Sequence, residues 1–546
     1  MKKVIFALAL FILAPTFISL IFGMKNAPVT KEGSPMVFLG RRNLNSQDTA
    51  TYYSFIEQAK QGKILFENLY TTETPNPSFF RPSYLLIGNF ARLFNLSPPV
   101  AFHFARIPLG ILFFAAVYFL FSFFIKKKSH IFLALTILAF SSGLGFILGG
   151  TMPQSSDLWI PESNTFLSLS DSPHFIFSQT LMILIFASFL WLLKTNDKRL
   201  LFLGGLSSAL LAFEHPFDLP IIALTFILFI ATFLLSENRV PKKYLLTSFI
   251  LLIPSLFGII NYYFLLNAPA ISSWSNQNVM LSPDILNYIV GLGILIPLAF
   301  LGLIHLLKSN NQDIKEFGSF LLLSWILATA ILLYAPVVFQ RRFIEGIHIP
   351  LSLLAAFGII FLSETFEDFI KLYQSKSKHK AKTQFPGVFR YMIAFIIIVI
   401  LSLTNVKSII SDLQIFSKDK ADDYYYYILP QETEAFSWIE KNMPEDKIIL
   451  SSWFYGNLIP GFTGHKVYLG HKVQTIDFEK KNSFMYSFFK DLSDKERLQF
   501  LKEQKIDYLF FGKDDYFLRL GNFKPDSKDY LKNVYENKGV SIYKTI

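Results

Sequence analysis

The chain has 546 residues, of which 52% are hydrophobic and only 17% are charged, and its mean hydropathy is +0.40. Soluble globular proteins carry about 25% charged residues, so the composition argues against an ordinary soluble protein. The net charge of +11 comes from short basic clusters between apolar runs, which is typical of cytoplasmic loops and not of a nucleic-acid-binding face. The absence of cysteine excludes disulfides, thiolate metal sites and a cysteine nucleophile.

Apolar runs dominate the first three quarters of the chain. A transmembrane helix needs about 20 mostly apolar residues. The sequence therefore predicts about eleven such helices, near 4–24, 100–125, 130–150, 174–193, 200–213, 217–235, 244–266, 285–307, 317–335, 348–366 and 391–410. We interpret the first run as a retained helix and not as a cleaved signal peptide, because it is longer than the usual signal. The short fifth run and the sixth could form a broken or re-entrant pair around Glu214-His215-Pro216.

The basic residues predict the orientation of these helices. Lys2 and Lys3 place the N-terminus in the cytoplasm, and strict alternation then puts the basic clusters at 126–128, 194–199, 239–243, 308–315 and 371–390 on the same side. The short outer loops 151–173, 214–216 and 267–284 contain no Lys or Arg. The sequence thus predicts a multi-pass protein of the plasma membrane whose segment after about residue 411 is extracytoplasmic.

Two regions are predicted to lie outside the bilayer. The first outer loop, residues 25–99, contains two amphipathic stretches at about 48–61 and 82–94, which we expect to form helices on the membrane surface. Residues 424–546 alternate helical and strand-like stretches, which predicts a small α/β domain. The predicted fold class is a polytopic α-helical membrane domain, residues 1–410, followed by an extracytoplasmic α/β domain, residues 424–546.

Arg341 and Arg342 are the first candidates for a functional site. They are the only Lys or Arg in a short outer loop, within YAPVVFQRRFIEGIHIPLSLLAA. Guanidinium groups at that position suit a phosphate or carboxylate held at the membrane surface. Contact with lipid headgroups or a structural ion pair with Glu345 is the alternative.

Asp48 begins the first predicted surface helix, where the helix N-terminus stabilises a charged carboxylate that can accept a proton. Taken alone, it is better explained as an exposed capping residue. The other candidates share a position in an outer loop or at its edge: Asp157, Glu162, Asp171, His174, Glu214 and His215. His465 and His471 lie six residues apart but lack an obvious third ligand, so no zinc site is predicted there.

The order of segments resembles the GT-C integral-membrane glycosyltransferases, in particular the bacterial protein mannosyltransferases and lipid A aminoarabinose transferases. The resemblance begins with the first helix and an outer loop carrying Asp48-Thr-Ala-Thr-Tyr-Tyr. It continues through FFRPSYLLIGNFARLFNLSPPVAFHFARI and QRRFIEGIHIPL, and it ends with ETEAFSWIEKNMP, FTGHKVYLGH and IDYLFFG. It covers nearly the whole chain, through layout and loose motifs.

The resemblance implies an enzyme that transfers a hexosyl or pentosyl group from a polyprenyl-phosphate donor to the hydroxyl of a lipid, glycan or protein, without a cofactor. Asp48 would be the catalytic base, and Arg342 and Arg341 would hold the donor phosphate. Asp171, His174, Glu214 and His215 would contact substrate. Many relatives carry paired acids where this chain has Gln47-Asp48, so we predict no metal.

Two alternatives remain open from the sequence. A transporter or flippase for lipid-linked sugars would place ionisable residues near the bilayer midplane, whereas the predicted spans are nearly free of charge, with Arg106 as the main exception. A non-catalytic envelope assembly protein would tolerate the loss of either Asp48 or Arg342.

Overall fold

The computed structural model describes residues 10, 12–30, 33–73, 79–237, 241–267, 277–308, 313–376, 386–417, 426–512 and 523–546. The chain divides into two compact units. The helical unit comprises residues 1–18, 106–260 and 280–411, and the mixed unit comprises 19–105, 261–279 and 412–546. These boundaries differ from those of the predicted domains, because the first outer loop belongs to the same unit as the C-terminal segment.

The helical unit consists of apolar helices and short connecting turns. Its α-helices are Pro98–Phe124 (which starts in the mixed unit), Lys128–Phe140, Gly145–Leu148, Ser156–Trp159, Thr165–Asp171, Pro173–Thr195, Arg199–Glu214, Asp218–Glu237, Lys242–Leu252, Leu256–Leu266, Ile285–Leu292, Leu295–Leu307, Ser319–Leu332, His348–Lys376, Pro386–Leu401 and Leu403–Phe416. Short 3-10 turns at Ala14–Phe17, Pro161–Ser163, Ile253–Ser255 and Gln340–Ile344, and a π-helical turn at Asp313–Gly318, complete it.

The described helices identify a multi-pass membrane protein. Those long and apolar enough to cross a bilayer are Pro98–Phe124, Lys128–Leu148, Pro173–Thr195, Asp218–Leu235, Lys242–Leu266 and Gln340–Ile370. Two further pairs are bent, by 73° between Ile285–Leu292 and Leu295–Leu307 and by 47° between Met392–Leu401 and Leu403–Phe416. The described residues therefore hold six to eight spans. The predicted number of eleven and the predicted orientation stay predictions, and residues 4–9 and 11 of the first predicted run lie outside the described residues.

Close packing of backbone against backbone holds two of these helices together. A Cβ atom on Gly302 would collide with the carbonyl oxygen of Leu354, and a Cβ on Gly358 would collide with that of Leu298. Helices Leu295–Leu307 and His348–Lys376 therefore meet at a glycine on each side. Small residues are common at such crossings in membranes because dispersion contacts drive helix association there.

The buried charge of Arg106 has a structural explanation. This side chain is fully buried. Its Nε donates to the carbonyl of Leu169 and its Nη2 to that of Thr16, each at 2.9 Å. Its guanidinium also lies over the Phe17 ring, 4.4 Å from the centroid. Arg106 thus ties three segments of the helical unit together.

The described residues of the mixed unit form two sheets, which confirms the predicted C-terminal α/β architecture. Strands β1 (Val37–Phe38) and β2 (Tyr427–Ile428) form an antiparallel pair. The second sheet has the order β4-β3-β5-β7-β6, where β3 is Ile448–Leu450, β4 Lys466–Val467, β5 Tyr508–Gly512, β6 Leu531–Glu536 and β7 Val540–Thr545. Strand β3 runs parallel to β4 and β5, whereas β7 pairs antiparallel with β5 and β6. The helices are Ile18–Lys25, which starts at the boundary, Ser46–Lys60, Pro82–Phe94, Pro430–Asn442, Trp453–Thr463, Phe478–Lys490 and Asp494–Glu503, with a 3-10 turn at Pro525–Ser527.

The first outer loop and the C-terminal segment share one core. Helix Ser46–Lys60 packs on helix Trp453–Thr463, where the rings of Tyr53 and Phe462 meet edge to face at 6.2 Å. Gln61 Nε2 donates to the carbonyl of Thr463 at 3.0 Å. The two predicted loop helices are present, at Ser46–Lys60 and Pro82–Phe94; their location on the membrane surface stays a prediction.

Glu57, on the helix Ser46–Lys60, is a buried acid in this core. Burial raises the pKa of Glu57 from 4.5 to about 7, although the nearby Lys60 acts to lower it. An acid whose pKa is higher in the folded state contributes stability that is complete below its unfolded pKa of 4.5 and lost as the pH rises through 7. The protonated form is therefore the one that the fold favours.

We expect Glu57→Gln, which stays neutral, to reduce the loss of thermal stability between pH 5 and pH 8. The shift of the Glu57 pKa corresponds to a pH-dependent change in the free energy of unfolding on the order of 3 kcal/mol. The measurement is Tm of the purified full-length protein at both pH values. Glu445→Gln, at a carboxylate that is 65% exposed, is the control. An equal pH dependence in wild type and Glu57→Gln would contradict the prediction.

Orientation can be tested by labelling introduced cysteines, because the natural sequence has none. Lys127 and Lys532 are both exposed. We expect Lys127→Cys to resist a membrane-impermeant maleimide in intact cells and to react after lysis, and Lys532→Cys to react in both cases. Labelling of Lys127→Cys in intact cells would contradict the predicted topology.

Candidate functional site

Asp48 lies in the first turn of helix Ser46–Lys60 in the mixed unit. The partial positive charge of the helix N-terminus stabilises an ionised carboxylate at this position. Its side chain is 45% exposed, so solvent reaches it. Its Oδ1 lies 2.9 Å from Nε2 of His471, which is 423 residues further along the chain. The fold therefore supplies the candidate base with a partner from the C-terminal segment.

The surroundings of His471 fix which of its ring nitrogens carries the proton. The backbone N–H groups of Val473 and Gln474 both donate to Nδ1, at 3.1 and 3.2 Å. A nitrogen that accepts these bonds carries no proton, so in the neutral ring the proton is on Nε2. Nε2–H then donates to Asp48. The imidazole is 2% exposed and faces the edge of the Tyr70 ring, so it is held in this orientation.

Arg342 belongs to a second cluster, in the helical unit. Its guanidinium carbon lies 4.8 Å from the centroid of the Phe217 ring, and its Nη1 lies 3.4 Å from Nε2 of His215. Its Nε is buried and has no hydrogen-bond partner among the described residues. A guanidinium stacked on an aromatic ring with an unsatisfied N–H suits an anionic ligand.

His215 connects Arg342 to two buried carboxylates. Its Nδ1 lies 2.9 Å from Asp218 Oδ1 and 3.1 Å from Glu345 Oε2. Ser178 donates to the other oxygen of Glu345 at 2.6 Å. Glu345 is therefore paired with His215 and Ser178, and the alternative of a structural ion pair between Glu345 and the arginines is not found. The ligand atoms of His215, Asp218 and Glu345 lie within 4.8 Å of one another, so these residues could hold a metal ion.

Arg341 and Arg342 contact different aromatic rings. The Arg341 guanidinium lies over Trp159 at 4.6 Å, and its Nη2 is 3.6 Å from the sulfur of Met280. Because Arg342 stacks on Phe217 instead, the two adjacent side chains occupy separate surroundings.

His174 is close to the Arg342 cluster, whereas the two acidic candidates mark helix ends. His174 lies in the first turn of its helix, with Nδ1 2.6 Å from Ser172 Oγ and its ring centroid 6.4 Å from that of His215. Asp171 and Glu214 are buried at the last residues of helices Thr165–Asp171 and Arg199–Glu214. Their predicted contact with substrate stays a prediction.

Asp157 is a buried residue with a structural role. Its Oδ2 accepts the backbone N–H groups of Gly143 and Gly145 at 3.0 and 3.1 Å, and Oδ1 accepts the Ser155 hydroxyl at 2.6 Å. Burial raises the pKa of Asp157, although these hydrogen bonds act to lower it. Its oxygens are used to hold the loop, so it is a poor candidate for catalysis.

The structure thus brings the predicted residues into two clusters. The helical unit gathers His174, His215 and Arg342, together with Asp218 and Glu345, and the mixed unit pairs Asp48 with His471. Asp218 and Glu345 were not predicted as site residues from the sequence, although they stand three residues after His215 and Arg342, which were. His471 was considered only as a possible zinc ligand, because no local sequence pattern indicates that it lies next to Asp48.

No protein-family model matches the sequence, and no curated protein matches it. Solved structures do resemble the chain. The apo oligosaccharyltransferase of Archaeoglobus fulgidus is 14% identical over 98% of this chain and 74% of its own, with a TM-score of 0.54. The archaeal oligosaccharyltransferase AglB from the same organism, in complex with an inhibitory peptide and a dolichol-phosphate, is 14% identical over 92% and 69%, with a TM-score of 0.53.

A mutant of the mycobacterial arabinofuranosyltransferase AftD also resembles the chain. It is 11% identical, and the match covers all of this chain and 41% of AftD, with a TM-score of 0.50. These structures have the GT-C fold, and at such low identity the similarity concerns the fold alone. The chain therefore has the GT-C fold, as the resemblance predicted.

Proposed function

We propose that this chain with the GT-C fold is a glycosyltransferase, which moves a sugar from a polyprenyl phosphate to an acceptor hydroxyl at the extracytoplasmic face. The observation that carries the proposal is the half-exposed carboxylate of Asp48, at a helix N-terminus and hydrogen-bonded by the buried His471. A carboxylate kept ionised and accessible is suited to general-base catalysis. The structural neighbours support the proposal through their fold.

Asp48 is proposed as the group that receives the acceptor's proton. The acceptor oxygen attacks the anomeric carbon and forms the new glycosidic bond. The bond between that carbon and the phosphate oxygen breaks, and the polyprenyl phosphate leaves with the electron pair. The hydroxyl proton passes to the Asp48 carboxylate.

His471 is proposed to position Asp48 without itself taking the proton. Its Nδ1 already accepts two backbone N–H groups, and its Nε2 already carries the proton that it donates to Asp48. The donated hydrogen bond favours the ionised carboxylate. It also restricts the rotation of the Asp48 side chain, which is half exposed.

Arg342 is proposed to hold the donor phosphate. Its stacking on Phe217 orients the guanidinium, and its buried Nε–H offers a donor. Hydrogen bonds to charged groups contribute roughly 1.5–3 kcal/mol each, so Arg342 supplies only part of the stabilisation of the leaving group. Arg341 is proposed as a weaker contributor, and Asp171, His174, Glu214 and His215 as substrate contacts.

The donor in this proposal is a polyprenyl-phosphate-linked sugar in the bilayer, and the acceptor is a lipid, a glycan or a protein. The transfer as written uses no cofactor and involves no nucleic acid. The location is the plasma membrane, with the N-terminus in the cytoplasm.

We expect Asp48→Asn to lower the turnover rate by about 10²–10⁴-fold, the usual contribution of a general base, with little change in donor binding. His471→Ala should lower the rate less, and His471→Gln should restore part of it because its amide can replace the Nε2–H donor. The measurement is the release of undecaprenyl phosphate from a panel of undecaprenyl-phosphate sugars in the presence of a membrane extract as acceptor. Asp446→Asn, at a carboxylate that is 78% exposed, is the control.

Near-normal turnover by Asp48→Asn would show that Asp48 is not the base. Equal rates for His471→Ala and wild type would remove His471 from the mechanism while leaving Asp48 in place.

We expect Arg342→Ala to weaken the binding of undecaprenyl phosphate by about 10–150-fold, which corresponds to the loss of one charge-assisted hydrogen bond. Arg342→Lys should recover only part of the affinity, since an ammonium cannot stack or bond in the same way. The Kd is measured on protein in nanodiscs. Arg199→Ala, at a side chain that is 90% exposed, is the control, and an unchanged Kd for Arg342→Ala would exclude the proposed phosphate contact.

A further inference from the structure

We propose that His215, Asp218 and Glu345 form a binding site for one divalent cation within the helical unit. The three residues come from the turn after helix Arg199–Glu214, the start of helix Asp218–Glu237, and the turn before helix His348–Lys376. His215 and Asp218 are close in the sequence and Glu345 is far from both, and the fold brings one ligand atom of each within 4.8 Å of the others. The inference does not depend on the proposed transferase activity.

The spacing of the ligand atoms fits a metal ion. Two ligands bound to an ion at about 2.1 Å and at right angles to each other lie about 3.0 Å apart. The distances from His215 Nδ1 are 2.9 Å to Asp218 Oδ1 and 3.1 Å to Glu345 Oε2. The two distances from His215 therefore match a shared ion, and all three ligand atoms lie within 4.8 Å of one another.

A hydrogen bond outside the cluster directs one ligand towards it. Ser178 Oγ donates to Oε1 of Glu345, so Oε2 is the oxygen that faces His215. Outer hydrogen bonds of this kind commonly orient metal-binding carboxylates. Within the part of the chain that the structure describes, Asp218 Oδ2 is buried without a hydrogen-bond partner, and Glu345 Oε2 accepts no hydrogen bond and has only the 3.1 Å contact with His215 Nδ1. An unsatisfied oxygen in a fully buried carboxylate points to a missing ligand.

The balance of charge also favours a cation. The side chains of Asp218 and Glu345 are 0% exposed. Glu162, also buried, is close enough to both to interact with them electrostatically. A buried carboxylate is costly unless it is paired or bound to a metal. Arg342 is close enough to Asp218 to interact with it electrostatically, but its guanidinium contacts His215 and Phe217 directly, so one cation faces three buried carboxylates.

The ligand types indicate which ion would bind. One imidazole nitrogen and two carboxylate oxygens form a mixed set that suits Zn²⁺ or Mn²⁺, whereas Ca²⁺ prefers oxygen ligands throughout. Binding at Nδ1 places the His215 proton on Nε2. Arg342 Nη1 lies 3.4 Å from this Nε2. That distance is at the limit of a hydrogen bond, so the contact does not require His215 Nε2 to be unprotonated.

The proposed metal site does not involve Asp48, the residue at which a metal was considered from the sequence. The sequence predicted no metal because the acid before Asp48 is replaced by Gln47. The proposed ligands are other residues, and Asp218 and Glu345 were not among the selected candidates.

The test is the metal content of the full-length protein, purified with a tag that does not bind metals and measured by inductively coupled plasma mass spectrometry. We expect about one equivalent of zinc or manganese per chain in wild type. After treatment with EDTA, addition of MnCl₂ or ZnCl₂ should raise Tm. His215→Ala and Glu345→Gln should each reduce the bound metal at least tenfold and abolish the rise in Tm.

Glu345→Gln preserves the shape of the side chain and its bond to Ser178, so it tests the site even if His215→Ala does not fold. His305→Ala is the matched control, because His305 packs beside Phe357 and Phe361; it should keep the metal. Wild-type protein without metal and without a shift in Tm would overturn the proposal and would favour a purely hydrogen-bonded cluster. Unchanged metal content in Glu345→Gln would also overturn it. Neither result bears on the transferase proposal, which is tested by Asp48.

Discussion

The hydrogen bond from His471 to Asp48 depends on the way in which the first outer loop folds onto the C-terminal segment. Strand β1 pairs with β2, and helix Ser46–Lys60 packs on helix Trp453–Thr463. This shared core holds residues 423 positions apart at 2.9 Å. The C-terminal segment is therefore part of the structure that orients the candidate base, and a change in the core of the mixed unit should alter the position of Asp48.

Arg106, which is fully buried, and Arg342, which is partly buried, illustrate how surroundings separate a structural charge from a candidate binding group. Arg106 directs its donors to backbone carbonyls and stabilises the packing of helices. Arg342 is stacked on Phe217 beside His215, and its Nε is unsatisfied among the described residues. Both are cations near apolar helices, and only the structure separates their roles.

The features that could be predicted from the sequence are those that depend on local composition. Apolar length and basic loops identified a multi-pass membrane protein, and alternating patterns identified the C-terminal α/β architecture. The GT-C fold followed from the order of segments. The pairing of Asp48 with His471 could not be predicted, because it arises from tertiary packing. Asp218 was missed because it resembles an ordinary polar residue at a helix end, and Glu345 was considered only as an ion-pair partner of the arginines; only the fold shows that both contact His215.

A glycosyltransferase of this kind must break the bond between a sugar and a polyprenyl phosphate. The most direct measurement reconstitutes the wild-type protein in proteoliposomes with a labelled undecaprenyl-phosphate sugar and an acceptor extract, and follows both products by mass spectrometry. We expect undecaprenyl phosphate and glycosylated acceptor to appear in equal amounts. Movement of the intact donor between leaflets without cleavage would contradict it and would indicate a transporter.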